Sequence, residues 1–295
     1  MTEQRPKVWL ITGTSTGFGR CLVNSVLARG DLVIATARSL EKIQDFPKSD
    51  RLHLFQLDVN DSRDVVHARI EEAAGFWGRI DVLVNNAGYG LKALLEEGGS
   101  DAMMKQYQTN VYGVVNVTTA TLPHMRSARS GTIVMMGSRT TWQPTHVHET
   151  AFYTSSKAAV HAFSEVLSVE VRQYNIQVLI VEPGGFLTKG MFSTPYYQDN
   201  RISDYDKLRS DSVERMKQFA GSFKGDPNKA MELVVDVVRR EGKAKGRPWS
   251  LYLFLGNEAY DSVRAKCKEV LENLDSWEDV GKDLDFDNLM AARAV

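Results

Sequence analysis

The sequence predicts an α/β fold, doubly wound about one parallel sheet, and three observations carry that reading. Short, almost unbroken apolar runs alternate with longer segments of helical period through most of the chain. The first run feeds a glycine-rich turn that opens directly into a helix, the start of a βαβ unit. The runs lack the polar alternation of a half-exposed strand, as expected where helices cover both faces of a sheet.

Taken in order, residues 8–11 form the first strand, and Gly13, Gly17 and Gly19 punctuate the turn after it. Cys21, Leu22, Val23, Val26 and Leu27 mark a helix that stops at Gly30. Strands follow at 32–37, 52–57, 80–84, 132–136 and 177–181, with helices over 65–76, 103–125 and 151–174. Beyond Gly184 the rhythm breaks: residues 186–225 are polar, with scattered aromatics and no period. An irregular stretch of that length inside a compact fold reads as a substrate lid. Asp226 and Pro227 supply the N-cap and first position of a helix over 228–240. A strand over 249–254 and a helix over 259–274 complete a seven-stranded Rossmann-type domain. The tail 275–295 carries six carboxylates between 275 and 287 and reads as a surface wrap. With no repeat or linker, residues 1–295 are read as one domain, its core at about 7–190 and 226–274.

Composition narrows the function classes. An apolar share of 43% with 25% charged residues is that of a globular protein. A formal net charge of −1 sets up no field toward nucleic acid or anionic lipid. The cluster Arg239, Arg240, Lys243, Lys245 and Arg247 sits at a predicted helix end and reads as a solvated face. Two cysteines, Cys21 and Cys267, make no disulfide framework and fit a reducing compartment. No run approaches a membrane span, so the expectation is a cytoplasmic protein with neither membrane nor nucleic-acid partner.

The chemistry begins at Tyr153 and Lys157. Four positions apart on a predicted helix, they share one face. An ammonium beside a phenol favours the phenolate, and lowering a pKa near 10 by about two to three units takes roughly 3–4 kcal/mol. Alone, the pair is too short a pattern to assign a role. Gly13, Gly17 and Gly19 add a second end to the site. Small residues at a strand-to-helix turn let the backbone approach a pyrophosphate, which meets free N–H groups and the helix dipole.

Other landmarks fall in order between residues 8 and 190. Leu57-Asp58-Val59 follows the third strand and Asn85-Asn86-Ala87-Gly88 the fourth. Asn110 lies in the next helix, Ser138 after the fifth strand, then Tyr153 and Lys157, and Pro183-Gly184 after the sixth. With the Thr-Gly-x-x-x-Gly-x-Gly turn at 12–19, this set resembles the short-chain dehydrogenase/reductase family. Tyr89-Gly90 after Asn-Asn-Ala-Gly and the extended C-terminus look most like its 17β-hydroxysteroid and retinol dehydrogenase branch. The resemblance implies that Tyr153 is general acid for carbonyl reduction and general base for alcohol oxidation. Lys157 would grip the nicotinamide ribose, Ser138 would hold the substrate oxygen, and Asn110 would bind a water in a proton relay. Asp58 and Val59 would hold the adenine, Asn85, Ala87 and Gly88 would line the nucleotide, and Thr188 would reach the carboxamide. Ser15, Phe18, Pro183 and Gly184 complete the implied cofactor set.

Cofactor choice has a physical handle. A carboxylate at the end of the second strand would bind the ribose diol and repel a 2′-phosphate. That strand ends in Ala37-Arg38-Ser39, so Arg38 favours NADP(H) over NAD(H), with Ser15 able to donate to the same phosphate. Position 16, where some NADP-dependent members carry a basic residue, is Thr16, and Arg20 is the candidate to compensate.

Fifteen positions separate Ser138 from Tyr153, more than the family pattern leads one to expect. The extra length falls in 139–150, where Trp142 is expected as a pocket wall with Phe192, Tyr196 and Tyr197 from the lid. His146 and His148 have no third ligand nearby in sequence, so no metal site is assigned. The leading expectation is an NADP(H)-dependent oxidoreductase acting on a carbonyl or secondary alcohol of a fairly apolar substrate. The alternatives are a catalytically silent NADP-binding regulator and an epimerase or dehydratase on the same fold. The resemblance also implies a homodimer or homotetramer, paired through helices 103–125 and 151–174.

Overall fold

The computed structural model describes residues 5–143, 149–188, 196–197, 199–220 and 224–286. Seven strands, β1 (Val8–Ile11), β2 (Leu32–Ala37), β3 (Leu52–Gln56), β4 (Val82–Asn85), β5 (Gly131–Met136), β6 (Ile176–Pro183) and β7 (Tyr252–Leu255), form one sheet. Its order is β3-β2-β1-β4-β5-β6-β7, and every pairing is parallel. All four residues of β1 and of β4 are buried, which explains their unbroken apolar sequence. The strand order reverses between β1 and β4, so the crevice for a ligand opens at the carboxyl ends of these two strands.

Helices cover both faces. On one, α1 (Gly17–Ala28) and α7 (Pro227–Arg239) bury Leu22, Val23, Val26, Met231, Val234 and Val235 against the sheet. On the other, α2 (Arg63–Gly75), α4 (Val114–Ala128) and α5 (Ala151–Glu170) contribute Val66, Ile70, Val117 and Val160. Ser62 caps α2 by accepting from the Val65 N–H, and Asp226 caps α7 by accepting from Asn228, with Pro227 in the first turn.

Four sequence expectations are corrected. The helix expected over 103–125 starts earlier, as α3 (Leu95–Tyr107), and joins α4 through a π-helical turn at Gln108–Gly113. The lid is not wholly irregular, because 186–225 holds α6 (Asp206–Ala220). Charged residues occupy so much of α6 that its period is hidden. The last helix, α8 (Asn257–Gly281), does not stop at 274 but continues through the acidic stretch expected to wrap the surface. Arg239 is not solvated: it donates to the buried Asp31 at 2.5 Å, and Asp31 also accepts from Trp9 Nε1 at 2.9 Å. Arg239 thus ties α7 to the loop before β2.

The lid is anchored beside the crevice. Tyr196 pairs with Lys92 as a parallel bridge, and the Tyr197 N–H donates to the Lys92 carbonyl at 2.9 Å. Tyr197 packs on Leu91, Ala93, Ala102 and Phe152, an apolar cluster separate from the two sheet faces. The buried Glu149 carboxyl, on the segment before α5, lies near Tyr196 and Ser212 of α6. Burial pushes the Glu149 carboxyl above the usual carboxylate range.

Candidate active site

The nucleotide end is built by backbone fit. Gly13 and Gly17 have φ of +70° and +58°, which L side chains rarely adopt. A Cβ at Gly13 would stand 2.7 Å from Ala87 Cα, so the turns after β1 and β4 touch. A Cβ at Gly19 would meet the Gly13 carbonyl and the Asn86 amide. Thr12 locks these turns together: its hydroxyl accepts from the Asn86 and Ala87 N–H groups at 3.0 and 2.9 Å. Asn86 Nδ2 donates back to the Thr12 and Gly13 carbonyls at 2.8 and 3.0 Å. Thr188 lies against Gly17, 3.5 Å from where a Cβ there would be, which brings the start of the lid to the glycine turn. This narrow, side-chain-free turn at the head of α1 fits a dinucleotide pyrophosphate. Phe18, edge-on to Phe186 at 5.4 Å, holds α1 to the segment after Pro183 and Gly184.

The flanking residues divide. Arg38 is exposed just past β2, and among the described residues no carboxylate pairs with it. Ser15 lies half-buried in the glycine turn. Arg20, the candidate to compensate, is held by Asp45 through two hydrogen bonds of 3.0 and 2.6 Å. Asp58 accepts from the Asn60 N–H at 3.0 Å, and Val59 is buried where a Cβ on Gly113 would reach it. The Asn85 amide is turned inward, donating to Thr118 Oγ1 at 2.9 Å, so its side chain braces α4 and does not line the nucleotide.

At the reacting end the fold brings four residues together from three segments. Ser138 follows β5, and Tyr153 and Lys157 lie on α5, with the Ser138 side chain close enough to the Tyr153 phenol to favour its ionised form. Ser138 Oγ also accepts from Thr140 Oγ1 at 3.0 Å, which fixes its rotamer. Lys157 Nζ donates to the Met136 carbonyl at 2.6 Å. The buried Asn110 sits in the π-helical turn and donates to the Tyr89 carbonyl and to Ser156 Oγ, each at 3.0 Å. Gly88 fills the space between Asn110 and Lys157: a Cβ there would lie 3.0 Å from Asn110 Oδ1 and 3.7 Å from Lys157 Nζ. Gly90 packs against the Tyr153 ring.

The electrostatics differ from the sequence expectation. Burial pushes the Tyr153 phenol up from its ordinary value, the Ser138 hydrogen bond pulls it down, and the Glu182 charge pushes it up again. Burial lowers Lys157 to about 8, against a smaller upward pull from Glu182. Desolvation is the largest influence on the phenol and favours its neutral, proton-donating form.

Glu182 and His161 were missed by sequence reasoning. Glu182, next to last in β6, is 0% exposed, and a Cβ on Gly137 would stand 2.6 Å from its Oε1. The Ser138 backbone lies near this carboxylate, and His161 Nδ1 is 3.3 Å from it. His161 Nε2 meets the Tyr252 hydroxyl at 2.9 Å, and that hydroxyl donates to Glu165 at the surface. The available signal was the spacing of Tyr153, Lys157, His161 and Glu165, a four-residue repeat that puts four titratable groups on one face of α5. Burial raises the Glu182 carboxyl, and Glu182 raises the His161 imidazole.

Trp142 is not a pocket wall. Its ring packs on His161 at 5.2 Å, Phe254 at 6.0 Å and Tyr252 at 6.2 Å. Tyr196 is bridged to Lys92 and Tyr197 packs on the cluster of Leu91, Ala93, Ala102 and Phe152, while Phe192, His146 and His148 lie outside the described residues. Among the described residues no three His, Cys, Asp or Glu side chains converge as a metal site, and no helix is long and apolar enough to cross a membrane.

A glycine turn at the β1/β4 crossover, with a serine, tyrosine and lysine closing its far side, can seat a dinucleotide and pass a proton to a bound oxygen. Comparison with known proteins places this arrangement. The family model described as short chain dehydrogenase matches residues 7–195. The chain belongs to the short-chain dehydrogenase/reductase family. A Botryotinia fuckeliana protein named Oxidoreductase BOA17 is 33% identical over 279 residues, covering 93% of this chain and 97% of that protein. A short-chain dehydrogenase from Streptomyces avermitilis superposes with a TM-score of 0.82 at 33% identity, over 96% of this chain and 100% of that one. A short-chain dehydrogenase/reductase from Burkholderia phymatum, in complex with NAD, shares the fold with a TM-score of 0.75 at 19% identity, over 92% and 97% of the chains.

Proposed function

We propose that this short-chain dehydrogenase is an NADP(H)-dependent carbonyl reductase or alcohol dehydrogenase, with Tyr153 as its general acid and base. The observation that carries the reading is the meeting of Ser138 and Tyr153 beside the buried Lys157, with Gly90 against the Tyr153 ring and Gly88 between Lys157 and Asn110. A nicotinamide held there supplies the hydride for reduction. The protein supplies the rest. Ser138, its hydroxyl already oriented by Thr140, holds the carbonyl oxygen next to the phenol. Tyr153 gives that oxygen a proton as the hydride arrives at carbon, and takes one back in the reverse direction. Lys157, fixed against the Met136 carbonyl, stabilises the phenolate left behind and has further N–H groups for a ribose. Asn110, with Gly88 between it and Lys157, is suited to a water from which the phenolate recovers its proton.

Arg38, exposed and without a described carboxylate partner at the end of β2, supports the 2′-phosphate form of the cofactor. The apolar cluster under Tyr197, formed by Leu91, Ala93 and Phe152, supports a fairly apolar substrate. Exposed Val115 on α4 and Val166 and Val169 on α5 support pairing of two copies through these helices. The test is NADPH consumption against a panel of ketones, aldehydes and quinones, with NADP reduction by secondary alcohols as the reverse assay. Binding of NADPH with no turnover on any of them would reject the oxidoreductase reading in favour of a silent nucleotide-binding protein.

A further inference from the structure

The last helix carries a feature that the reaction does not use. Ala259 and Ser262 hold the start of α8 to the body, and from Cys267 to residue 286 every described residue is exposed. Within this arm Val263, Cys267, Val270, Leu274 and Trp277 recur at intervals of four, three, four and three. That spacing is the a/d seam of a helix that lies along another helix. Leu274 is 64% and Trp277 63% exposed, and Leu271 and Val280 widen the same apolar stripe. An apolar helix face standing free in water marks an interaction surface, since a helix of this kind draws most of its stability from packing.

Charge selects the occupant. Along the seam from Val263, Arg264, Lys266 and Lys268 lie on the half nearer the body with one acid, Glu269, whereas Glu272, Asp275, Glu278 and Asp279 lie on the far half. Some of these already pair along the helix, Lys266 with Glu269 at 3.1 Å and Lys268 with Glu272 at 3.5 Å, but the lengthwise separation of sign remains. We propose that α8 is a self-association arm that pairs antiparallel with α8 of a second copy. Turned end for end about residue 272, the seam sets Val270 against Leu274 and Cys267 against Trp277, with Arg264 flanking it beside Glu278 of the partner subunit. Basic half then meets acidic half, and the two helix dipoles oppose each other favourably. A parallel pair would put like charge on like charge. An anionic lipid surface would repel the acidic half.

Sedimentation velocity of the full chain at micromolar concentration tests this. The double variant Leu274→Asp/Trp277→Asp should halve the mass of the assembly and weaken its association at least tenfold, with turnover retained. Val166→Asp/Val169→Asp, on the α5 face, separates any pairing through α4 and α5 from pairing through the arm. The direction of pairing is read by mild oxidation in a Cys21→Ser background. There Trp277→Cys should give a disulfide to Cys267 of the partner subunit. The parent chain should give none, because antiparallel pairing sets the two native thiols about 15 Å apart along the axis. An unchanged mass for Leu274→Asp/Trp277→Asp overturns the proposal. So does a disulfide joining the two native Cys267 thiols, failure of Trp277→Cys to cross-link, or an arm that carries the protein onto phosphatidylcholine vesicles while its mass in solution stays that of the variant.

Discussion

Replacing Lys157 by methionine should stabilise the fold while abolishing turnover. Lys157 is 6% exposed and is drawn from 10.5 to about 8 by burial. At 1.36 kcal/mol per pKa unit, that difference is about 3.4 kcal/mol spent holding an ammonium in the core at neutral pH. Methionine fills nearly the same space without the charge, but it leaves the Met136 carbonyl without its 2.6 Å partner, a loss of about 1–3 kcal/mol. The net gain at pH 7 is therefore about 0.5–2 kcal/mol. The pH dependence is the sharper part. A lysine lowered on folding binds its proton more weakly in the native state, so wild-type stability rises as pH climbs through 8 toward 10.5. By pH 10 the wild type should recover about 2.5 kcal/mol that Lys157→Met never lost. Urea unfolding of both proteins without cofactor, at pH 7 and pH 10, measures this. A variant less stable than wild type at pH 7, or a stability difference that does not move between the two pH values, would refute the reasoning.

Arg38→Asp should cut NADPH affinity by about 1.5–3 kcal/mol, the worth of a charged hydrogen bond, and improve NADH use in competition assays. Glu182→Gln removes a charge that raises the Tyr153 phenol. Reduction needs the protonated phenol and fails as pH rises through its pKa, so the alkaline limb of kcat/KM should move to lower pH. Asp31→Ala leaves the half-buried Arg239 with Glu241 as its one described carboxylate partner and strands the Trp9 indole N–H, and should cost about 1–3 kcal/mol in chemical denaturation with kcat unchanged.

The sheet and the site's main residues were legible because their signals are local. Buried strands read as apolar runs, the glycine turn must sit between a strand and a helix, and Tyr153 and Lys157 need only one helix to meet. What stayed hidden depends on contacts distant in sequence. Trp142 turns away from the pocket because β7 docks beside β6 and offers Tyr252 and Phe254 to its ring. Glu182 reads as one more residue of an apolar strand, and only the fold shows Gly137 and His161 closing around it. The π-helical turn that aims Asn110 leaves no trace in its apolar period. Proximity to Lys157 suggested an acidified phenol, but the sequence held no measure of burial, which is the largest influence on Tyr153 and raises it.

The account rests on a neutral phenol handing its proton to the substrate oxygen, and Tyr153→Phe tests that most directly. Steady-state kcat should fall by about 10²–10⁴ with NADPH affinity nearly intact by fluorescence titration, since the ring and its packing on Gly90 remain. A phenylalanine variant that turns over at the wild-type rate would contradict it.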